Sequence, residues 1–338
     1  IITHSTKNGN IRKVKNDKID SKGIAKLGLS KDIPVSQFPA KLVLELRSLT
    51  RKYYDLTDER SAHINKLKGD LHTVFPQYLD VFCDVTGKTS TMILRQYGTP
   101  DKILRGHKKT MIEKISKASR KGLAKASERY EKLCAAANAA KTFGCQIDSI
   151  YFNIFLTLDL VEKLDSALDS ILNRIRQLIT FNKNEKFIQQ IKLLNTIPGV
   201  GFLTAVTIMC EIGDFSAFRN PKQLFAYFGL DPEVNESGKF VGTQLHMSKR
   251  GSRIARRAIF AVALASIRTK RNGEGINPYL RKYYELKSGQ KPKMVAIGAV
   301  MHKVCNIVFA VLRDEKAFEL RSPEEHCKQY QRPALAAA

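Results

Sequence analysis

The sequence has no Cys-x-x-Cys pair. Its six cysteines, at 83, 134, 145, 210, 305 and 327, are scattered, which argues against a zinc site and for a reducing compartment. Long apolar runs are missing too. The longest uninterrupted stretch, Ala258 to Ile267, is about half a membrane span and is flanked by arginines, so no transmembrane helix is expected. No secretory signal opens the chain, which starts Ile1-Ile2-Thr3 without a methionine. Acid is scarce: 32 Asp+Glu stand against 57 Lys+Arg, a net charge of +25 over 338 residues. Folding does not need such a surplus, and self-repulsion opposes it; a polyanionic partner explains it. These absences describe a basic, cytoplasmic protein associated with nucleic acid, such as a nucleoid component.

The surplus is concentrated in two segments. From Lys102 to Lys132 there are eleven Lys/Arg and three acids, with Ile112, Ile115 and Leu123 at helical spacing. From Lys249 to Arg271 there are eight Lys/Arg and no acid. A single basic helix is ordinarily a solvated face. Two such segments point instead to phosphate neutralisation, in which each cation releases condensed counterions. Phe260 is the only aromatic in the second segment, so backbone contact is expected rather than base stacking.

Local patterns predict a mainly α-helical chain. Leu42, Leu46, Leu49, Tyr53 and Leu56 recur at steps of three and four, as do Val161, Leu164, Leu168, Ile171, Ile175 and Leu178. The second run reads equally as a coiled-coil seam or as a core helix of a bundle. If the two helices pair antiparallel, residues 76–148 are an insertion at their tip, punctuated by Gly87 and by Gly98-Thr99-Pro100. Ile33-Pro34-Val35 has the composition of a short strand. Further on, Ile197-Pro198-Gly199-Val200-Gly201 lies between two helical runs, the form of a helix-hairpin-helix element. In such an element Gly199 and Gly201 let the backbone approach a DNA phosphate; a plain helix–helix connection is the other reading. Asn220-Pro221, Ser252 and Asn277-Pro278 read as helix starts, the second opening a helix from Arg253 to Lys270, and a last helix runs from Lys293 to Leu312.

Two places can carry chemistry. Asp17 and Asp20 sit three apart at a helix start, so both carboxylates face one side and can hold a magnesium ion against a phosphate. Aspartates in a first helical turn also serve the cap and the macrodipole. Ser237 lies in Glu236-Ser237-Gly238-Lys239, within a helix-poor stretch from Leu230 to Gly251. Ser-Gly is common turn punctuation. Lys249, Arg250, Arg253, Arg256 and Arg257 follow it, cations able to activate a serine and neutralise a pentacovalent phosphate, but on the residues alone the turn reading prevails. No histidine is placed as a general base, and His246 reads as a surface or packing residue.

In this order, K-N-D-K-I-D, the seam, L-L-x-x-I-P-G-V-G, F-A-x-F-G-L-x-P, E-S-G, M-S-K-R-G and a basic helix, the chain resembles the DEDD insertion-sequence transposases of the IS110 group, bridge-RNA-guided serine recombinases. The resemblance implies three parts. Residues 1–40 would be the C-terminal portion of a RuvC-like α/β domain of the RNase H fold, and 41–188 a coiled-coil linker with the basic insertion at 76–148. Residues 189–330 would be an α-helical serine transposase domain. It further implies Ser237 as the nucleophile that forms a phosphoserine with DNA, and Asp17 and Asp20 as the last two acids of a magnesium-binding tetrad. Implied partners are donor and target DNA, a non-coding guide RNA and further copies of the chain, as a dimer or tetramer. Nucleic-acid contacts are expected at Gly199, Gly201, Lys239, Lys249, Arg250, Arg253, Arg256 and Arg257, and in the insertion at Lys108, Lys109, Arg120 and Lys121. The first Asp and the Glu of such a tetrad have no counterpart here, so the expectation is a fragment or a decayed copy; a binding-only remnant is the alternative to an active recombinase.

Overall fold

A computed structural model describes residues 21–22, 25–26, 28–29, 39–145, 147–183, 185–233, 236–237, 240–241, 246–322 and 324–325. The chain divides into two compact units, Ile1–Lys41 and Leu42–Ala338. In the first, residues 21–22, 25–26 and 28–29 are helical. Asp17, Asp20 and the strand expected at 33–35 fall outside the described residues.

The described residues of the second unit are mainly helical, as the sequence led one to expect, and among them is one two-stranded ribbon. Its frame is two 34-residue helices, α1 (Lys41–Val74) and α7 (Asp148–Phe181). They run antiparallel: Arg60 on α1 pairs with Asp165 on α7, and the Tyr151 hydroxyl donates to the Val74 carbonyl at 3.4 Å. Val161, Leu168, Ile175 and Leu178 of the seam are buried, so the run serves as a core stripe.

The insertion between them folds as α2 (Tyr78–Val81), α3 (Lys88–Gln96), α4 (Pro100–Arg105), α5 (Lys108–Ser119) and α6 (Leu123–Phe143) around its own core. That core includes Phe75, Tyr78, Ile93, Ile103, Met111, Ile115 and Leu133. Tyr78 is fully buried, and its hydroxyl bonds to Ser90. Gly87 and Thr99 stand at the helix starts that the sequence marked.

A second core gathers the other end of α7 with α8 (Lys186–Leu194), α9 (Phe202–Ile212), α10 (Pro221–Tyr227), α11 (Arg253–Ser266), α12 (Pro278–Ser288) and α13 (Lys293–Asp314). Every residue of α9 from Ala205 to Ile212 is buried, the condition for a helix apolar all round. Asn220, Ser252 and Asn277 accept bonds from the third backbone N–H beyond each, at 3.0, 3.2 and 3.1 Å. Helix α11 stops at Ser266 instead of Lys270. There the chain turns back on itself: Asn277 donates to the Ser266 carbonyl, Ile276 to Arg268, and Thr269 pairs with Gly275. Long-range backbone pairing overrides the local helical pattern. Helix α13 is long and apolar enough to cross a membrane, yet ten of its residues are buried in this core.

Candidate functional site

Residues 229–233 pair antiparallel with 246–249. Lys249 donates to the Gly229 carbonyl at 3.0 Å, Ser248 to Asp231 at 2.8 Å and Glu233 to His246 at 2.7 Å; Pro232 bridges to Met247. Farther out, β1 (Glu236–Ser237) pairs with β2 (Phe240–Val241), Ser237 opposite Phe240. Ser237 is therefore the strand residue paired with Phe240. Gly238 and Lys239 fall outside the described residues.

The foot of the ribbon is pinned by two glycines. Gly229 has φ +65°, and a Cβ on it would lie 2.4 Å from the Gly251 nitrogen. A Cβ on Gly251 would lie 2.0 Å from the Tyr227 carbonyl oxygen. Only glycine allows the end of α10 and the start of α11 to touch in this way. The Ser248 hydroxyl also bonds to the Asp231 carboxylate at 2.6 Å. Ser252 then caps α11, so the ribbon leaves directly from the first turn of the basic helix.

The cations of this helix divide into two kinds. Lys249, Arg250 and Arg253 are exposed. The Arg256 guanidinium instead donates to the Gly251 carbonyl at 2.7 Å and to Phe228 at 3.2 Å, and partial burial pulls its pKa down. Arg257 pairs with Asp58 on α1 at 2.7 Å and lies over the Tyr54 ring, 4.8 Å from its centroid. Arg256 and Arg257 are thus engaged within the protein, one holding the foot of the ribbon and the other tying α11 to α1. Their position beside the core face (Ile254, Ala255, Ala258, Ile259) places them there.

The Ile197–Gly201 turn does join two helices, α8 and α9. Its glycines differ. Gly199 has φ +97°, and a Cβ on it would lie 2.5 Å from the Ser266 hydroxyl, which donates to the Pro198 carbonyl at 3.0 Å. Its surroundings are thus α11. Gly201 caps α9 and has open space where a Cβ would go. That leaves Gly201 as the position of the pair where a ligand backbone has room.

One group was missed in the sequence. Glu211 is 3% exposed. Both its oxygens are held by Arg51 on α1, at 2.8 and 2.9 Å, and Ser252 hydrogen-bonds to it. Burial alone raises the Glu211 pKa. The bonds from Arg51 and Ser252, with the charges of Arg51 and Arg47, outweigh that and hold it below the ordinary carboxylate value. The Tyr227 hydroxyl donates to its carbonyl at 3.1 Å. A lone acid in the apolar run from Phe202 to Ile212 was the available signal, because a buried carboxylate must be paired.

In the insertion, Lys109, Arg120 and Lys121 are exposed, Lys108 lies over the Tyr130 ring at 5.8 Å, and Arg120 ends α5 at φ +55°. Among the described residues no group of His, Cys, Asp and Glu side chains assembles a metal cage.

The exposed Lys249, Arg250 and Arg253 give the start of α11 a positive surface. Comparison with known proteins finds similarity in two parts of the chain. Residues 191–285 match the family model "Transposase IS116/IS110/IS902 family", and residues 1–76 match a second model described as "Transposase". The chain is 23% identical over 286 residues to the "Insertion element IS110 uncharacterized 43.6 kDa protein" of Streptomyces coelicolor, covering 84% of this chain and 66% of the other. It is 30% identical over 177 residues to the "Pilin gene-inverting protein" of Moraxella bovis, 52% of each. With the "Transposase for insertion sequence element IS1111A" of Coxiella burnetii it shares 26% over 188 residues, 54% of this chain and 50% of the other. The chain spans about half to two thirds of the length of these relatives.

Proposed function

We propose that this chain is a DNA transposase or recombinase of an insertion sequence, with Ser237 as its nucleophile. The observation that supports the proposal is that Ser237 lies in a strand pair within the segment whose two ends, 229–233 and 246–249, pair with each other and are locked onto the start of the basic helix. In the reaction, the serine oxygen attacks a DNA phosphorus and forms a phosphoserine ester. A strand bond to that phosphorus breaks, and the departing oxygen takes the serine proton overall. Attack by the hydroxyl of another strand then reverses the step and frees the serine. Lys249, Arg250 and Arg253 supply the cations that neutralise the phosphate, with Lys239, two residues after the serine in sequence, as a further cation; Arg256 and Arg257 support the site through Gly251, Phe228 and Asp58.

In this reading residues 1–40 belong to a RuvC-like part, 41–188 to a linker that pairs subunits as a coiled coil, and 189–330 to the serine transposase part. The turn that Gly199 shapes makes a helix-hairpin-helix contact to DNA at Gly201, the position with open space, and Lys108, Lys109, Arg120 and Lys121 contact nucleic acid from the insertion. A guide RNA selects donor and target DNA, a dimer or tetramer assembles on them, and the protein works in the cytoplasm at the nucleoid. Asp17 and Asp20 are the residues that would hold magnesium, which supplies charge neutralisation when bound. The sequence similarity to transposases and to a gene-inverting protein supports the strand-exchange class.

The test is a covalent adduct. With a labelled branched DNA, the parent chain should yield a protein–DNA species that survives denaturation, and Ser237→Ala should abolish it while folding is kept. Strand exchange by Ser237→Ala would overturn the assignment. Salt-sensitive binding with no adduct from the parent chain would favour the binding-only reading.

A further inference from the structure

The segment that carries Ser237 is attached to the helical core by Tyr227 before it and Ser252 after it, and both meet the same buried residue. The Tyr227 hydroxyl donates to the Glu211 carbonyl at 3.1 Å. The Ser252 hydroxyl accepts from the Ala255 N–H at 3.2 Å as the cap of α11 and also bonds to the Glu211 carboxylate. From the other side comes a polar stripe of α1: Arg47, Arg51, Tyr54 and Asp58 recur at steps of four, three and four, so they share one face. Arg47 donates to the Cys210 carbonyl at 2.7 Å, Arg51 holds both oxygens of Glu211, and Tyr54 and Asp58 meet Arg257 of α11. Apolar residues of equal volume would join these helices as firmly, because desolvation offsets the attraction of a buried pair. A two-pronged ion pair adds what they cannot, a fixed direction.

We propose that the Glu211 carboxylate is a positioning group of the serine site, holding the return of the Ser237 segment at Ser252 in a set orientation against α1. At 3% exposure it is too deep to meet DNA, so it acts through Ser252 and the neighbouring Gly251, whose nitrogen faces Gly229 at the other end of the segment. The backbone there requires such a hold. Lys249 stands at φ +52°, a left-handed conformation that a lysine keeps only where its surroundings impose it. The stripe on α1 gives the hold a second end, so the orientation of the long helix and that of the serine segment are linked through one carboxylate. The proposal rests on the Ser237 reading for the reaction that is positioned, and on the contacts alone for the positioning.

The experiment compares the full chain with Glu211→Leu, Arg51→Met/Glu211→Leu and Glu211→Gln. Each leaves the Tyr227 bond in place, since that bond is to the backbone. Three quantities are read: affinity for branched DNA, the rate of covalent adduct formation, and hydrogen exchange of peptides holding Glu233, Ser248 and Lys249 against peptides of α13. In both leucine variants DNA affinity and the unfolding midpoint should stay near the parent's, while the adduct forms about tenfold more slowly or worse. Exchange should quicken in the segment peptides and not in α13. Glu211→Gln keeps an acceptor for Ser252 and should restore most of the rate. An unchanged adduct rate with unchanged exchange overturns the proposal, as does exchange that quickens equally in α13, which would make Glu211 a contributor to stability alone. A parent chain that forms no adduct overturns the Ser237 reading instead; segment exchange then decides the positioning, faster in the leucine variants if it holds and unchanged if it does not.

Discussion

Arg51 and Glu211, 160 residues apart in sequence, form a two-pronged ion pair that joins the long helix α1 to α9 in the C-terminal core. The carboxylate is buried and the guanidinium half-exposed, with side-chain exposures of 2% and 51%. Because Ser252 also bonds to Glu211 and Tyr227 to its carbonyl, the pair reaches the foot of the Ser237 ribbon from both sides.

Arg51→Ala should therefore destabilise the protein by about 2 kcal/mol. That is less than the ~3–5 kcal/mol of a wholly buried pair, because Arg51 is half in water. The Glu211 carboxyl is held below its ordinary 4.5, so its stabilisation is complete above that pH and is lost as pH falls through the lower folded value. In Arg51→Ala burial goes less opposed, the carboxyl pKa rises, and the loss of stability begins at higher pH. Glu211→Gln should remove this part of the acid dependence. Thermal denaturation over a pH series measures all three.

Glycine substitutions should separate packing from ligand approach. Gly251→Ala and Gly229→Ala each force a Cβ into backbone atoms and should cost about 2–4 kcal/mol in urea unfolding. Gly199→Ala should also destabilise, through its positive φ and Ser266. Gly201→Ala meets open space and should leave stability within ~1 kcal/mol. If a DNA phosphate sits at that turn, Gly201→Ala nonetheless weakens DNA binding; unchanged affinity removes the turn from the interface.

The arginines of α11 should sort in the same manner. Arg253→Ala should shift stability by less than about 0.5 kcal/mol and lower the salt slope of DNA binding by about 1. Arg256→Ala should leave that slope alone and destabilise by about 2 kcal/mol, since two carbonyls lose a charged donor. A double-mutant cycle on Arg257 and Asp58 should give a coupling of about 0.5–1 kcal/mol.

Thiol labelling should follow burial. Cys83 and Cys145 are exposed and should be alkylated in the native protein. Burial pushes the Cys210 thiol up to about 12, and Cys305 is raised likewise, so neither should react before unfolding. Peptide mapping after a short alkylation distinguishes the two classes.

What the sequence made legible was local. The caps at Asn220, Ser252 and Asn277 and the stripe from Val161 to Leu178 depend on neighbours within a turn or two, and they stand where the pattern put them. The two stripes were legible as helices, whereas their antiparallel pairing, on which the inserted tip depended, stood only as a condition and is set by contacts such as Arg60 to Asp165. The end of α11 did not, because it is set by pairing with residues up to Asn277. Composition also treated the arginines of α11 alike. Which of them turn inward depends on α1 and α10, and those contacts bridge 199 residues for Arg257 and 28 for Arg256. The close approach of Gly229 and Gly251 was equally invisible, since a glycine in an irregular stretch looks the same with or without a neighbouring backbone.

The paired helices α1 and α7 have a metric consequence. At 34 residues each they extend about 50 Å, which equals the length of about 15 base pairs of duplex. The pair thereby acts as a spacer between the core around Leu71 and Tyr151 and the core around Leu46 and Ile175. Shortening both helices by matched heptads between those residues would bring the two cores closer while leaving the side chains of each in place.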